Sequence, residues 1–312
     1  MISDKAEEPP KKPSAAILEG CGEWIKRWWD SAPPPDTLYH FTDTDGLAGI
    51  LHGRAIWASL ATSLDDCSEV QYGLDLAESV IEKRGTSAPS ELLKAALRCL
   101  RNPHEIRPEF RYQIRVFVAS FCESVEKSSH WMHYARRGSG FAIGFGPEIA
   151  IPGKAYLCKV EYERGTQERV LTDFLDRVQG IVTEQVSRPG ADPMHIGQMA
   201  GHLVSVFLPA LTAGFKAKSF SDDQEWRLAT LEVSCDGVPL NSNLPPDPAG
   251  IKFRTFQGRV IPYEEMPFPL PAVKEVLLGF SSPMNEHDDA LRMLVEGVSP
   301  QLVPSRSKVP VR

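Results

Sequence analysis

The chain has 312 residues, a formal net charge of −7, 42% hydrophobic and 24% charged residues, which is the balance of a globular protein with a sizeable core. No apolar run approaches the roughly 18 residues of a membrane span, and the charged, proline-rich opening "MISDKAEEPPKKPSAA" lacks the apolar stretch of a secretory signal, so the expected location is cytoplasmic. The acidic balance argues against bulk affinity for nucleic acid, although "ARRGSG" and "GFKAKSF" are locally basic.

Residues 1–19 are rich in Pro, Lys and Glu and are expected to be disordered. In "CGEWIKRWWDSAPPPD" the residues Trp24, Ile25, Trp28 and Trp29 recur at helical spacing before a triple proline ends the helix, and three tryptophans on one short helix should dock on the main body. From Thr37 a short strand runs to Phe41, and Thr42 or Asp43 caps a helix whose apolar face is Leu47, Ile50 and Leu51. "AIWAS" reads as a strand and "SLDDCSEVQYG" as a polar connection into a helix carrying Leu74, Ala77 and Ile81. Ser90 opens a further helix. Strands are expected at Arg115–Phe121, Gly140–Phe145 and Ala155–Tyr162. A helical insert follows over about 168–213, with Val170, Phe174, Leu175, Val178, Ile181 and Val182 on one face and "SRPGADP" dividing it. The last third returns to strands ("EWRLATLEV", "IKFRTF", "GRVIPYEE", "VKEVLLGF"), with a loop at "PLNSNLPPDPAG", a helix over Asp288–Val295 and a strand-like tail "KVPVR". Strands outnumber regular βα alternations, so the expected class is α+β, with mixed or antiparallel sheets and flanking helices. The domain reading is an N-terminal segment at 1–36 and a single α+β domain at 37–312. The six cysteines are scattered without a C-x-x-C pair, so neither a disulfide framework nor a zinc site is expected, and Cys122 and Cys158 should be reduced and buried.

Four clusters carry candidate chemistry. His40 and Thr42 stand at a strand end beside a helix N-terminus, a place for an anion or for a core histidine. Asp65, Asp66 and Glu69 lie close enough in sequence to share a metal through oxygen, or to cap and turn the chain. In "FVASFCESVEKSSHWMHYARRGSGFAIGF", Ser120 ends an apolar strand, Trp131 and Tyr134 are three apart, and His130 and His133 repeat that spacing without an obvious third ligand, so no metal is expected there. Arg137 lies in "RRGSG", which presents amides and guanidinium groups to a phosphate or simply turns the chain. Glu225 opens an apolar strand next to Arg227, as an ion-pair partner or as a catalytic acid.

The ordered motifs "LYHFTDTDGLAGIL", "GRAIWAS", "LDDCSEVQYG", "FVASFCES", "WMHYARRGSGFAIGF", "FKAKSFSDDQEWRL" and "VLLG" resemble a bacterial family catalogued as domain of unknown function 2971, from about Leu38 to the C-terminus. A histidine-threonine strand followed by a helix, later aromatics and a glutamate at the start of a late strand also resemble ADP-ribosyltransferases, which implies a core of that type carrying the helical insert. By that resemblance NAD is the substrate: His40 bonds a ribose hydroxyl, the backbone at Phe41 holds the nicotinamide amide, and Tyr134 or Trp131 stacks on the ring. Thr42, Ser120 and Arg137 join the NAD-binding set, and Glu225 bonds the ribose 2′-hydroxyl and stabilises an oxocarbenium-like transition state. The acceptor is a nucleic acid or a protein, and the implied role is a toxin or antiphage-defence effector. The sequence departs from that pattern in having Phe41 after the histidine and no Q-x-E or E-x-E motif. Two other readings stand beside it: a non-catalytic ligand-binding or sensor protein of the same fold, and a metal-dependent nuclease or hydrolase using Asp65, Asp66, Glu69 and Glu225.

Overall fold

The computed structural model describes residues 12–63, 67–102, 112–235, 238–239, 250–256 and 258–309. Helix α1 spans Pro13–Trp29, so residues 13–19, expected to be disordered, are helical instead. Pro13 sits in the first turn, where a missing N–H costs nothing. Its apolar side is covered by the rest of the chain. Trp24 meets Phe174, Trp28 meets Phe215 edge-on, and Trp29 lies fully buried against Tyr156.

Strand β1 (Leu38–Thr42) leads into α2 (Thr44–Gly53), where Asp43 is the cap and its carboxylate accepts from the Gly46 N–H at 2.9 Å. Then come β2 (Ala55–Leu60), α3 (Cys67–Ser87), α4 (Glu91–Arg101), β3 (Tyr112–Cys122), α5 (Ser128–Tyr134), β4 (Phe141–Phe145) and β5 (Tyr156–Lys159). The last of these is shorter than the sequence pattern suggests. Beyond it Glu161 turns away from β5 to make an isolated parallel bridge with Phe215. Helices α6 (Arg164–Val186) and α7 (Pro193–Thr212) form the helical insert, parted at the expected break. The chain ends through β6 (Glu225–Cys235), β7 (Val238–Pro239), β8 (Ile251–Phe256), β9 (Arg259–Pro267), β10 (Val273–Leu278), α8 (Asp289–Glu296) and β11 (Ser305–Arg306). Among the described residues the strand that pairs with β10 falls on Ser305–Arg306, ahead of "KVPVR", whose last three residues lie outside the described ones.

The protein is therefore α+β, with one mixed and mostly antiparallel sheet in the order β11-β10-β4-β1-β3-β2-β9-β8; among the described strands only β10 and β11 pair in parallel. The long strand β3 organises it. One edge pairs with β6 along its whole length. The other edge is shared: β2 pairs at Phe117 and Val118, and β1 pairs only at Cys122. Between those points β1 and β2 part, and the sheet opens.

Alternation along β3 and β6 sends Val116, Val118, Ala229, Leu231 and Val233 to one face, under α1, α3, α4, α6 and α7. Phe117, Ala119, Phe121, Trp226 and Leu228 go to the other face, with α2 and α8. In the helical layer α7 closes on α4 at Gly197 and Gly201. A Cβ at Gly201 would stand 2.4 Å from the Leu92 carbonyl oxygen, so glycine there sets the approach of the two helices.

Candidate active site

The face of β3 and β6 that lies under the helical layer continues past it, and its chemistry changes. On β6 the row Val233, Leu231, Ala229 runs on to Arg227 and Glu225; on β3 the row Val116, Val118 runs on to Ser120 and Cys122. Those four residues, with Tyr39, His40 and Phe41 of β1, Trp57 and Ser59 of β2, Tyr134 of α5, Lys216, Asp223 and Arg254 of β8, line a cleft of about 270 Å³ at the point where the sheet opens.

Glu225 is 5% exposed and held on both oxygens. Arg227 Nε donates to Oε1 at 2.8 Å and Arg227 Nη2 to Oε2 at 3.2 Å, while Lys216 Nζ donates to Oε2 at 3.0 Å. Burial alone would raise this carboxyl; the Arg227 and Lys216 charges, with hydrogen bonds from Arg227 and Ser120, bring it down to about 2. The backbone is pinned as well, since the Glu225 N–H donates to the Tyr162 hydroxyl at 2.9 Å. Glu225 is thus an arginine's ion-pair partner and a cleft carboxylate at once.

His40 reaches into the parted edge. A carbonyl only accepts, so the 2.9 Å contact with the Ser120 carbonyl places the proton on Nδ1 and leaves Nε2 as an acceptor. Burial lowers its pKa, the Ser120 bond opposes that, and the nearby Arg254 lowers it further, so the ring is neutral near pH 7. Arg254 itself is oriented by donating to Ser59 Oγ at 2.9 Å. Tyr134 stands half-exposed at the cleft mouth. Its partial burial near Asp223 and Glu225 pushes the phenol up to about 12 despite Lys216, so its hydroxyl stays protonated.

His40, Phe41, Ser120, Tyr134 and Glu225 therefore meet in one cleft, and Thr42, Trp131 and Arg137 lie off it. Trp131 is fully buried. Its ring meets Phe41 edge-on at 5.1 Å and its Nε1 donates to the Val125 carbonyl at 2.8 Å, so it belongs to the core and offers no stacking face. Arg137 is exposed in a left-handed turn, while its neighbour Arg136 pairs with Asp43 at 3.0 Å. His130 and His133 diverge: His130 is buried and approaches Asp223 at 3.9 Å, whereas His133 is exposed. Among the described residues no group of three His, Cys, Asp or Glu is arranged to hold a metal. Asp65, Asp66 and the Glu69 side chain lie outside the described residues. Cys122 and Cys158 are buried free thiols, and burial pushes Cys158 up to about 12, which makes it inert as a nucleophile.

Lys216, Asp223, Arg254 and Trp57 also line the cleft; the first two lie inside "FKAKSFSDDQEWRL" and Trp57 inside "GRAIWAS", but those motifs gave them no role. Lys216 sits in "GFKAKSF", noted only as a locally basic stretch, and it is 4% exposed. The signal for it is indirect: Glu225 and Arg227 continue an apolar row, so they must be buried and must find counter-charges.

No helix among the described residues is long and apolar enough to cross a membrane. Comparison with protein-family models, with curated proteins and with solved structures gives no match to this chain.

Proposed function

We propose that the cleft binds NAD, cleaves its nicotinamide–ribose bond and transfers ADP-ribose to a macromolecular acceptor, so that the chain acts as an ADP-ribosyltransferase-type effector. The observation that carries this reading is the meeting of His40, Tyr134 and Glu225 in one cleft, from β1, α5 and β6. In this reaction the ribose C1′–nitrogen bond breaks, its electron pair leaves with neutral nicotinamide, and an acceptor nucleophile forms the new bond to C1′ and loses its proton. Positive charge develops on the ribose as the bond breaks, and the ionised Glu225 favours that state over the ground state. His40 Nε2 is an acceptor for a ribose hydroxyl. The Tyr134 ring offers a half-exposed face to the flat, cationic nicotinamide. Phe41 lines the cleft beside His40, and its backbone is the proposed partner of the carboxamide. Lys216, Arg227 and Arg254 outnumber Asp223 and Glu225 in the cleft, which suits a substrate bearing a pyrophosphate.

A second reading has its own support. Both Glu225 oxygens already hold Arg227 and Lys216, so the carboxylate is engaged by the protein's own cations, which suits a site that binds a ligand without turnover.

The deciding experiment follows nicotinamide release from NAD by the purified chain, with and without nucleic-acid and protein acceptors. Turnover by the wild type that falls about 100- to 1,000-fold in His40→Ala and in a folded Glu225→Gln supports transfer. NAD binding without nicotinamide release gives the site to the ligand-binding reading. Turnover abolished by a chelator returns it to the metal-dependent one.

A further inference from the structure

Lys216 has no role in the reading above beyond its charge, yet the fold secures it from several layers. Its N–H donates to the Glu161 carbonyl at 3.1 Å, and its own carbonyl accepts from Gln167 Nε2 at 2.9 Å. Gln167, fully buried on α6, is fixed in turn by the Tyr72 hydroxyl of α3 at 2.7 Å. The preceding Phe215 is fully buried against Trp28 of α1, and a Cβ at Gly214 would stand 2.4 Å from the Trp28 ring, so the helix closes over this turn only because glycine is there. Helices α1, α3 and α6 thus fix the backbone from which the ammonium reaches into the cleft. At its far end Nζ donates to Asp223 Oδ2 at 2.8 Å and to Glu225 Oε2 at 3.0 Å. Between those carboxylates Gln224 takes a left-handed conformation (φ 47°), which non-glycine residues rarely adopt.

We infer that Lys216 is the positioning residue of the cleft: it ties Asp223 to Glu225 across the left-handed Gln224 and so sets where the Glu225 carboxylate points. The chemistry this serves rests on the NAD reading, and the positioning itself does not. A flexible surface lysine would not hold a carboxylate in one orientation, whereas this one launches from a backbone braced by three helices. It also gives the helical insert a task, because the contacts that seat Lys216 come from Glu161 just before α6, from Gln167 on α6 and from the turn after α7.

The test measures Glu225 apart from turnover, by following its carboxyl carbon by NMR in the full chain as pH is lowered. The other groups facing Glu225 are Arg227 and Asp223 from its own stretch, Ser120 and Cys122 from β3, Cys158 from β5, Tyr162 before α6, and Tyr134 from α5. They are unchanged in Lys216→Met, so the Glu225 midpoint should move up by about one to three pH units, with Lys216→Arg restoring most of the difference. Nicotinamide release should lose roughly 100-fold in kcat, a larger change than any in KM for NAD, and its acid limb should move to higher pH. Asp223→Asn serves where Lys216→Met does not fold: it leaves the ammonium to Glu225 alone, so the midpoint stays low while kcat falls. An unchanged Glu225 midpoint in folded Lys216→Met, or an upward one in Asp223→Asn, overturns the inference. A midpoint that moves as stated, with no nicotinamide released even by the wild type, upholds the positioning and removes the NAD reading.

Discussion

The helical layer and the cleft are two ends of the same face of β3 and β6, and they are buried by opposite means. Under the helices the row is Val116, Val118, Ala229, Leu231 and Val233, met by Phe174, Leu203, Phe207 and Leu208. In the cleft the row becomes Ser120, Cys122, Arg227 and Glu225, met by Lys216 and Asp223. The first end gains from each side chain roughly in proportion to the apolar area it covers. The second is only as good as its pairing, since a buried charge is tolerable while its partners stay and costly once one leaves. A substitution therefore means different things two residues apart on one strand.

The largest expected effects fall on one residue from each end. Phe207→Ala empties a fully buried ring site and should cost about 3–5 kcal/mol. Glu225→Gln leaves Arg227 and Lys216 buried around a neutral amide and should cost a similar amount, about 3–5 kcal/mol. The two separate with pH. The Glu225 carboxyl in the fold lies near 2, below its ordinary value of 4.5, so its contribution is complete above that ordinary value and is lost as pH falls toward 2. Denaturant melts should show the Glu225→Gln deficit shrinking over that window while the Phe207→Ala deficit persists. A deficit for Glu225→Gln that is flat with pH would mean that the carboxylate is not what holds this end of the sheet.

Crowding separates the ends next. Gly201→Ala adds one methyl against the backbone of α4, which cannot swing aside as a side-chain tip would, and should cost about 1–3 kcal/mol in a thermal melt. The same addition at Gly53, where a Cβ meets nothing within 4 Å, should be tolerated.

What the sequence made legible follows the same division. The helical layer was open to reading because apolar periodicity records it directly: Val170, Phe174, Leu175, Val178, Ile181 and Val182 were spaced for one face of α6, and the last five are buried while Val170 is partly so. The three tryptophans of α1 were expected to dock and do. The cleft was only partly legible. His40 and Glu225 stand at strand ends, which motif order brings to notice, whereas Lys216 and Arg254 become neighbours of Glu225 and His40 only through the turn after α7 and the β8–β9 hairpin. Trp131 misled for a related reason. It lies three residues from Tyr134, but α5 is a short helix on which one aromatic packs inward on Phe41 and the other faces the cleft. Spacing gives a shared side of a helix, and not which part of that side is covered.

A partly buried carboxylate away from the cleft tests whether pairing is the rule for charges in this sheet. Glu264 of β9 is pushed up to about 7 by burial and by the neighbouring Glu232, against the opposing charge of Arg115. With its folded value above the unfolded one, Glu264 favours the fold at low pH, and that support is lost as pH rises through about 7. Glu264→Gln should therefore leave stability unchanged in acid and raise it by about 1–2 kcal/mol at mildly alkaline pH, the figure being reduced for the solvent that reaches this residue. Equal melting temperatures for variant and wild type at both pH values would show that Glu264 is already paired.

The smallest effect concerns how the cleft's mouth is joined to the rest. Asp43 has two partners: it caps α2 through the Gly46 N–H, and it accepts Arg136 Nε and Nη2 at 3.1 and 3.0 Å. The cap satisfies a backbone donor that has no helical partner, so Asp43→Ala should cost about 1 kcal/mol. The ion pair is exposed on the Arg136 side and should contribute under about 1 kcal/mol, so Arg136→Ala should shift the melting temperature less than Asp43→Ala does. Arg136 also has a left-handed backbone (φ 49°), and Arg136→Gly would relieve that strain while losing the pair. If Arg136→Gly melts above Arg136→Ala, the turn after α5, which carries Tyr134 at its start, is held against its own conformational preference. If the two melt together, the strain is carried elsewhere, and the Gly138 and Gly140 N–H bonds to the Ala135 carbonyl are enough to hold the turn.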